Sequence, residues 1–322
     1  MPMPQGFKDR LYPHLDAIAA HYGTPFHIYD EAGIRETGRQ VQAAFADIPG
    51  FREYYAVKAL PNPAVLGFCF DCSSETELLL ARSLGARGEE IMFTSNNTSP
   101  ADFAAAAAEG GCLLNLDDIT LVDKVPAMPE LICFRYNTGT RRTGNDIIGK
   151  PEEAKYGVSH EQIVEAYRRA MARGAKRFGL HTMLASNELH YSYMVQTASM
   201  LLDLVETIGN ELGIRFEFIN IGGGLGIPYL PDIDPLNIGA MGEEITALFV
   251  DFKDRHGFCP ALFMESGRYM TGPHGALVTR AINRKEIYRT YVRVNASMSA
   301  LMPPGMYGCS HHLQLPSRPA EK

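Results

Sequence analysis

The sequence lacks the features that mark membrane proteins and nucleic-acid-binding proteins. No apolar run is long enough to span a bilayer, and residues 1–6 contain no apolar signal core. Acidic residues outnumber basic residues by 37 to 30, which gives a formal net charge of −7, and neither a basic run nor a heptad repeat is present. This charge balance argues against nucleic acid as a partner. We therefore expect a cytoplasmic protein with no membrane or nucleic-acid partner.

The sequence also lacks a zinc-binding pattern. Of its 6 cysteines, Cys69 and Cys72 have the C-x-x-C spacing, but no second pair completes a site. Within a strand, an odd offset points two side chains to opposite faces. We therefore interpret these thiols as core residues and predict no metal site.

What the sequence does contain is a repeated unit of a short apolar strand followed by an amphipathic helix. The 322 residues, 46% of them hydrophobic, can bury a substantial core. Strands that alternate with helices form parallel sheets through right-handed crossovers, and eight strands favour a closed barrel. The predicted fold class is therefore α/β, a TIM-like (β/α)8 barrel. Its strands are predicted at residues 54–58, 68–72, 91–95, 112–116, 131–136, 177–182, 216–221 and 262–265.

Helix-start signals agree with this arrangement. Ser74 with Glu77, and Ser159 with Gln162, have the spacing of capping boxes. Ser99 precedes a proline at a first helical position. The weak point is the first crossover. Only residues 59–67 separate the first two strands, which is shorter than a parallel connection normally requires, and residues 62–66 have the pattern of a helix start.

Outside the barrel the pattern changes at both ends of the chain. We predict an N-terminal segment, residues 1–30, with a helix around 11–21 and a strand at 26–29 that joins a β domain. The barrel occupies residues 31–274. Residues 275–322 are expected to be the start of a truncated β domain, with strands at 276–283 and 288–296 around a charged turn at 284–286. The tail from Leu313 onwards is polar and is predicted to be disordered.

The first barrel strand ends in Lys58, which makes this residue the main candidate for chemistry. An amine buried at the mouth of a barrel would have a lowered pKa and could form a Schiff base with a carbonyl group. The alternative is a lysine whose stem reaches solvent at a strand end, with no chemical role.

Two further candidate sites follow strands seven and eight. Function in such a barrel lies at the carboxyl ends of the strands. The three glycines at 222–224 can bring backbone N–H groups around an anion, although they could also form a plain flexible turn. Glu265 and Arg268 follow strand eight. The guanidinium of Arg268 could bind a phosphate or carboxylate of a ligand, or it could form only a surface salt bridge.

Closure of the barrel places strand eight beside strand one, so that Glu265 and Lys58 become neighbours. An amine, a carboxylate, a guanidinium and a glycine turn together would suit a phosphorylated aldehyde cofactor, pyridoxal 5'-phosphate. Lys58 would hold the aldehyde as an imine, and the turn at 222–224, with Ser186 and Arg268, would hold the phosphate. Glu265 would keep the ring nitrogen protonated, which makes the ring a strong electron sink.

Five segments of the chain, in this order, resemble a known family. They are YAVKA at 55–59, FDCSSETEL at 70–78, GLH at 179–181, IGGG at 221–224 and ESGR at 265–268. Together they resemble the fold-type III pyridoxal-phosphate decarboxylases, which have an alanine racemase-like barrel and act on ornithine, arginine or diaminopimelate. The likeness covers about residues 20–312. With residues 135–157 and 307–312, it is strongest towards the diaminopimelate group.

The resemblance implies a function and a set of site residues. The reaction would be decarboxylation of meso-diaminopimelate to L-lysine and carbon dioxide in lysine biosynthesis, by a homodimer. Lys58 is the implied catalytic residue, and Arg268 and Tyr307 would contact the amino-acid substrate. The implied cofactor-binding residues are Lys58, His181, Ser186, Gly222, Gly223, Gly224, Glu265 and Arg268.

The chain also departs from the family pattern. Pro303 stands in place of an arginine that contacts the substrate carboxylate, Met183 in place of a histidine against the cofactor ring, and Asn295 in place of an aspartate. The C-terminal β domain is expected to be incomplete. These departures predict weak cofactor binding and low turnover. They leave two alternatives, a cofactor-binding pseudoenzyme and a lone-barrel cofactor carrier, and the two C-terminal strands argue against the carrier.

Overall fold

The structure, a computed structural model, describes residues 3–61, 68–144, 149–307 and 310–316. At its centre, eight parallel strands form the closed barrel that the sequence predicts. The barrel strands are β2 (Arg52–Ala56), β3 (Cys69–Cys72), β4 (Gly88–Ser95), β5 (Cys112–Leu116), β6 (Leu131–Arg135), β7 (Arg177–His181), β8 (Phe216–Asn220) and β9 (Ala261–Met264). The strands outside the barrel are β1 (Phe26–Tyr29), β10 (Gly275–Val278), β11 (Ala281–Glu286) and β12 (Thr290–Val294).

Hydrogen-bonded neighbours in the barrel follow chain order from β2 to β9. The barrel closes where β9 pairs with β2, through the registers Arg52 with Phe263 and Glu53 with Met264. The ends of the first and last barrel strands therefore lie side by side. The helices that surround or flank the barrel are α1 (Gln5–Leu11), α2 (Leu15–Tyr22), α3 (Glu31–Ala44), α4 (Glu75–Ser83), α5 (Pro100–Ala107), α6 (Leu121–Lys124), α7 (Ile163–Ala172), α8 (Tyr191–Leu212), α9 (Ile238–His256), α10 (Arg268–Thr271) and α11 (Pro303–Tyr307).

Strand periodicity separates two cores. Side chains that point into the barrel, such as Tyr54, Met92 and Phe218, form a small interior cluster. Their sequence neighbours point outward and pack against the helices, as Tyr55 does. Because successive side chains alternate between faces, polar residues at inward positions near the strand ends face the mouth of the barrel.

The predicted helix starts are right at two positions and wrong at one. Ser74 accepts a hydrogen bond from the Glu77 N–H at 3.4 Å, and Ser99 forms a reciprocal capping box at the start of α5. At Ser159 only half of the predicted box is present: the Ser159 N–H donates to Oε1 of Gln162 at 3.4 Å, but α7 begins later, at Ile163, and has no side-chain cap. The helix predicted around 11–21 is divided into α1 and α2 by the 3-10 turn Tyr12–His14, which contains Pro13.

The first crossover is partly described. Val57–Ala59 forms a 3-10 turn directly after β2, and β2 and β3 pair as parallel neighbours. The predicted helix start at 62–66 lies outside the described residues.

Within the described ranges, no helix combines the length and apolar character that crossing a bilayer requires.

The N- and C-terminal parts of the chain meet beside the barrel. Strand β1 pairs with β10 in antiparallel fashion, with Tyr29 opposite Gly275. Strands β11 and β12 form a hairpin that is exposed along its whole length.

The strand predictions for this region are wrong in their bounds. The segment predicted at 276–283 is two strands, β10 and β11. The turn predicted at 284–286 lies inside β11, and the chain reverses at Ile287 to Arg289 instead. Of the tail predicted to be disordered, residues 313–316 are described and form no helix or strand, and Gln314 accepts a hydrogen bond from the Tyr12 hydroxyl. Residues 317–322 lie outside the described residues.

Candidate active site

The mouth of the barrel brings Lys58 against a carboxylate on the neighbouring strand. Lys58 lies in the 3-10 turn after β2, and its Nζ is 3.4 Å from Oδ2 of Asp71 on β3. Asp71 is buried, with 3% of its side chain exposed, whereas 62% of the Lys58 side chain is exposed. The amine is therefore reachable from the mouth while its partner is fixed in the wall.

The predicted pKa shift of Lys58 is wrong in sign. The Asp71 carboxylate raises the pKa of Lys58, burial opposes that effect, and Glu265 adds to it. Burial and the nearby Glu265 charge raise the pKa of Asp71 to about 7, although the attraction of Lys58 opposes this. The two groups therefore form an ion pair whose carboxyl titrates near neutral pH.

Glu265 lies at the same end of the barrel, directly after β9. Its Oε1 accepts a hydrogen bond from Nδ2 of Asn220 at 2.7 Å, and Nε2 of His181 is 3.4 Å from the same oxygen. Only 9% of Glu265 and 1% of His181 is exposed. Within the described residues, neither ring nitrogen of His181 makes a hydrogen bond, so this buried ring has donor or acceptor capacity to spare.

Glu265 is ionised despite its burial. Burial by itself would raise the pKa of this carboxyl. The nearby His181 ring, attraction to Lys58 and the hydrogen bond from Asn220 outweigh burial and lower the pKa of Glu265 to about 2. The wall of the barrel therefore holds a fixed negative charge at neutral pH.

The triple glycine forms a tight turn against the ends of β7 and β9. A Cβ atom on Gly222 would lie 2.4 Å from the Thr182 carbonyl oxygen, and one on Gly223 would lie 2.3 Å from the Glu265 carbonyl oxygen. Gly222 and Gly224 also have φ values of +73° and +97°. These positions require glycine, which argues against the plain flexible turn.

Arg268 begins α10 beside this turn, and its described partners are hydroxyls rather than an acid. Its Nη1 donates to the Tyr229 hydroxyl at 2.5 Å, and its Nη2 donates to Oγ of Ser186 at 3.3 Å. The surface salt bridge considered from the sequence is not among these contacts. Arg268 and Ser186, predicted from the sequence to act together, are thus in direct contact.

A second ion pair lies at the ends of β5 and β6, between Asp117, which follows β5, and Arg135, the last residue of β6. Nη1 of Arg135 is 3.3 Å from Oδ1 of Asp117, and its guanidinium lies 4.7 Å from the ring centroid of Tyr156. Arg135 is paired in register with His181 on β7. The strand next to His181 therefore adds a paired guanidinium to the mouth of the barrel.

The structure shows where the three residues that depart from the family pattern lie and what they contact. Met183 accepts a hydrogen bond from the Gly223 N–H, with 3.2 Å between N and Sδ. Pro303 is the first residue of α11 and is exposed. Asn295 donates to the Thr24 carbonyl oxygen at 2.7 Å and so joins the hairpin to the N-terminal segment, which an ionised aspartate could not do.

Tyr307 is the last residue of α11, and its side chain lies outside the described part of the chain.

Three residues of the site, Asp71, Asn220 and Tyr229, were not predicted from the sequence. Asp71 and Asn220 are an even number of residues from Cys69 and Phe218, which pack in the barrel interior. A polar residue at an inward position near the carboxyl end of a strand is the signal that would have identified both. Tyr229 lies in the irregular segment between β8 and α9, where no periodic pattern indicates its direction.

Comparison with known proteins places this site in a family. A profile of the family described as "Pyridoxal-dependent decarboxylase, pyridoxal binding domain" matches residues 31–272. Protein TabA of Pseudomonas amygdali pv. tabaci is 45% identical over 98% of this chain and 76% of its own length. A diaminopimelate decarboxylase of Methanothermobacter thermautotrophicus is 34% identical over 95% of this chain and 74% of its own length.

A solved structure shows the same architecture. The crystal structure of diaminopimelate decarboxylase from M. jannaschi matches with a TM-score of 0.84 and 25% identity, over 92% of this chain and 73% of that chain. The family profile, the relatives and the barrel agree with one another. This protein is a member of the fold-type III pyridoxal-phosphate-dependent decarboxylases, and its cofactor is pyridoxal 5'-phosphate.

Proposed function

We propose that this protein removes a carboxyl group from meso-diaminopimelate and releases L-lysine and carbon dioxide. The observation that carries the proposal is the position of Lys58 and the ionised Glu265 at the ends of the paired strands β2 and β9. The choice of substrate is supported by the diaminopimelate decarboxylase that is 34% identical to nearly the whole chain.

The residues present fit the two ends of pyridoxal 5'-phosphate. Gly222, Gly223 and Gly224 form a turn that a Cβ atom would block, and Arg268 with Ser186 supplies a cation and a hydroxyl beside it. These groups would hold the phosphate. Glu265, buried and ionised, would face the ring nitrogen.

When bound, pyridoxal 5'-phosphate supplies an electron sink for the pair of electrons left as carbon dioxide departs. Glu265 keeps a negative charge in the wall of the site, which favours a proton on the ring nitrogen. Lys58 would hold the aldehyde carbon through Nζ, and Nζ would have to lose a proton first. Asp71, whose pKa of about 7 lies near neutrality, can accept that proton at a distance of 3.4 Å.

His181 would contact the cofactor from the wall next to Glu265. Its buried ring nitrogens make no hydrogen bond among the described residues, so a bound group can satisfy one of them. Arg268 and Tyr307 are proposed to face the substrate. Arg135, fixed by Asp117, adds a guanidinium to the same mouth.

A second candidate is a pyridoxal-phosphate-binding protein without turnover on diaminopimelate. The observation that favours it is Pro303, exposed at the start of α11, where the family pattern has an arginine for the substrate carboxylate. A proline offers no side-chain donor.

Release of carbon dioxide separates the two candidates. Purified protein with pyridoxal 5'-phosphate is given meso-diaminopimelate, ornithine, lysine or arginine, and Lys58→Ala serves as the control. We expect release from diaminopimelate above that from the other three, and none with the control. Release from another amino acid alone would reassign the substrate. No release from any of them, with the cofactor bound, would support the second candidate.

A further inference from the structure

The segment that follows α11 lies against the proposed phosphate site. The ring of His311 packs on the ring of Tyr229, with the centroids 5.7 Å apart. In the same segment, Gln314 accepts a hydrogen bond from the hydroxyl of Tyr12, which lies between α1 and α2. Contacts with two separate parts of the chain therefore hold residues 310–316 in place.

Tyr229 connects this segment to Arg268. Its hydroxyl accepts a hydrogen bond from Nη1 of Arg268 at 2.5 Å, and its ring centroid lies 5.9 Å from the guanidinium carbon. The second terminal nitrogen of Arg268 donates to Ser186 at 3.3 Å. A guanidinium is planar and carries several N–H donors, so two such bonds fix its plane and leave other donors for an anion.

Tyr229 itself lies in the irregular segment between β8 and α9, with no helix or strand to set the direction of its side chain. His311 supplies a packing surface for it. Nδ1 of His311 is buried and has no hydrogen-bond partner within the described residues. The contact with Tyr229 is therefore made by the ring as a packing group.

We propose that His311 is a positioning residue for the cofactor phosphate. By packing on Tyr229, it holds the hydroxyl that orients the Arg268 guanidinium. This inference rests on the proposed role of Arg268 in binding the phosphate. It extends the site to a residue of the C-terminal segment, and it assigns Tyr229 the task of fixing the direction of the guanidinium.

The role predicts an effect that depends on the phosphate. Pyridoxal 5'-phosphate and pyridoxal share the ring and the aldehyde, but only pyridoxal 5'-phosphate has the phosphate that Arg268 is proposed to bind. Only its affinity should therefore depend on the orientation of Arg268. The affinities of the full chain for both compounds are measured by absorbance titration. In His311→Ala we expect the affinity for pyridoxal 5'-phosphate to fall about tenfold, the size of one hydrogen bond to a charged group, with little change for pyridoxal.

Two variants serve as controls for this measurement. His311→Phe keeps a ring against Tyr229 and should restore the phosphate-dependent affinity. Leu313→Ala alters the same segment at a side chain that is 91% exposed, and it should leave both affinities unchanged.

A general folding defect would lower both affinities together, and that outcome in His311→Ala would overturn the inference, as would no change in either. If that variant does not fold, Tyr229→Phe removes only the hydroxyl and must show the same phosphate-dependent loss. Arg268→Met separates this inference from the proposed function. If Arg268→Met keeps the preference for the phosphorylated compound, the role of Arg268 fails. If it loses the preference while Tyr229→Phe and His311→Ala keep it, only the role of His311 fails.

Discussion

The Lys58 ammonium lies 3.4 Å from the buried carboxylate of Asp71 on β3, and Lys58 is two residues beyond Ala56, which pairs with Asp71 in register. The pair is asymmetric. The lysine is largely exposed at the mouth, and the aspartate is enclosed in the barrel wall. The aspartate raises the pKa of Lys58 and thereby favours the ammonium form. The amine must therefore lose a proton from a stabilised cation before it can bond to a carbonyl carbon.

The first prediction concerns this ion pair. Asp71→Asn removes the main cause of the raised pKa of Lys58, so the amine should lose its proton at lower pH. The rate at which added pyridoxal 5'-phosphate is incorporated, followed by absorbance against pH, should then rise at lower pH than in the unchanged protein. Glu75→Gln removes the same charge at an exposed position of α4 and should leave the profile in place. Identical profiles for all three proteins would contradict the role of Asp71.

The second prediction concerns Glu265. Its pKa of about 2 means that the carboxyl is ionised at neutral pH. Glu265→Gln keeps the shape and removes the charge, so carbon dioxide release should fall about 100-fold, as when one preorganised electrostatic group is lost. Cofactor affinity, measured separately, should change much less. Unchanged turnover in this variant would contradict the ring-nitrogen role.

The third prediction concerns a buried carboxyl outside the chemistry. Burial raises the pKa of Glu53 from 4.5 to about 8, although its carboxylate accepts a hydrogen bond from the Ser266 N–H. A raised carboxyl pKa means that the folded state binds the proton more tightly. The resulting stabilisation is complete below the unfolded pKa and is lost as the pH rises through the folded pKa.

Glu53→Gln keeps the acceptor for Ser266 and cannot ionise. Its melting temperature should match that of the unchanged protein near about pH 5 and exceed it increasingly up to about pH 9. The pKa difference corresponds to a difference in the free energy of unfolding of up to about 5 kcal/mol at the alkaline end. Parallel stability curves for the two proteins across this range would show that Glu53 does not titrate in this way.

The fourth prediction concerns the glycine turn. In Gly223→Ala the new Cβ would lie 2.3 Å from the Glu265 carbonyl oxygen, which is backbone and cannot swing away. We expect a loss of about 1–3 kcal/mol in the free energy of unfolding, together with weaker cofactor binding. Gly239→Ala lies within α9, and its Cβ would be 3.5 Å from Oδ1 of the capping residue Asn237, so this change should instead be neutral or slightly stabilising. Urea denaturation and cofactor titration of both variants provide the comparison.

The barrel could be predicted from the sequence because its signals are local and repeated. Each barrel strand is a short apolar run, and most lie between helices with their own start signals. Closure then placed Glu265 beside Lys58 without any further assumption. The bounds of β11 and β12 were predicted less accurately, because both strands are exposed along their length and apolar patterning does not set their bounds.

The electrostatics of the site could not be predicted from single residues. The pKa of Lys58 depends on Asp71, which is distant in sequence and inconspicuous as one polar residue at the inward face of an apolar strand. The charge of Glu265 depends in the same way on Asn220 and His181. These effects belong to pairs that only the register of neighbouring strands brings together.

The central claim is that Lys58 is the amine that holds the cofactor. The direct measurement is borohydride reduction of the protein loaded with pyridoxal 5'-phosphate, followed by digestion and mass spectrometry of the peptides. The account predicts one phosphopyridoxyl group per chain, on Lys58, and none on this peptide in Lys58→Ala. A stable adduct on another lysine, or no adduct at saturating cofactor, would contradict it.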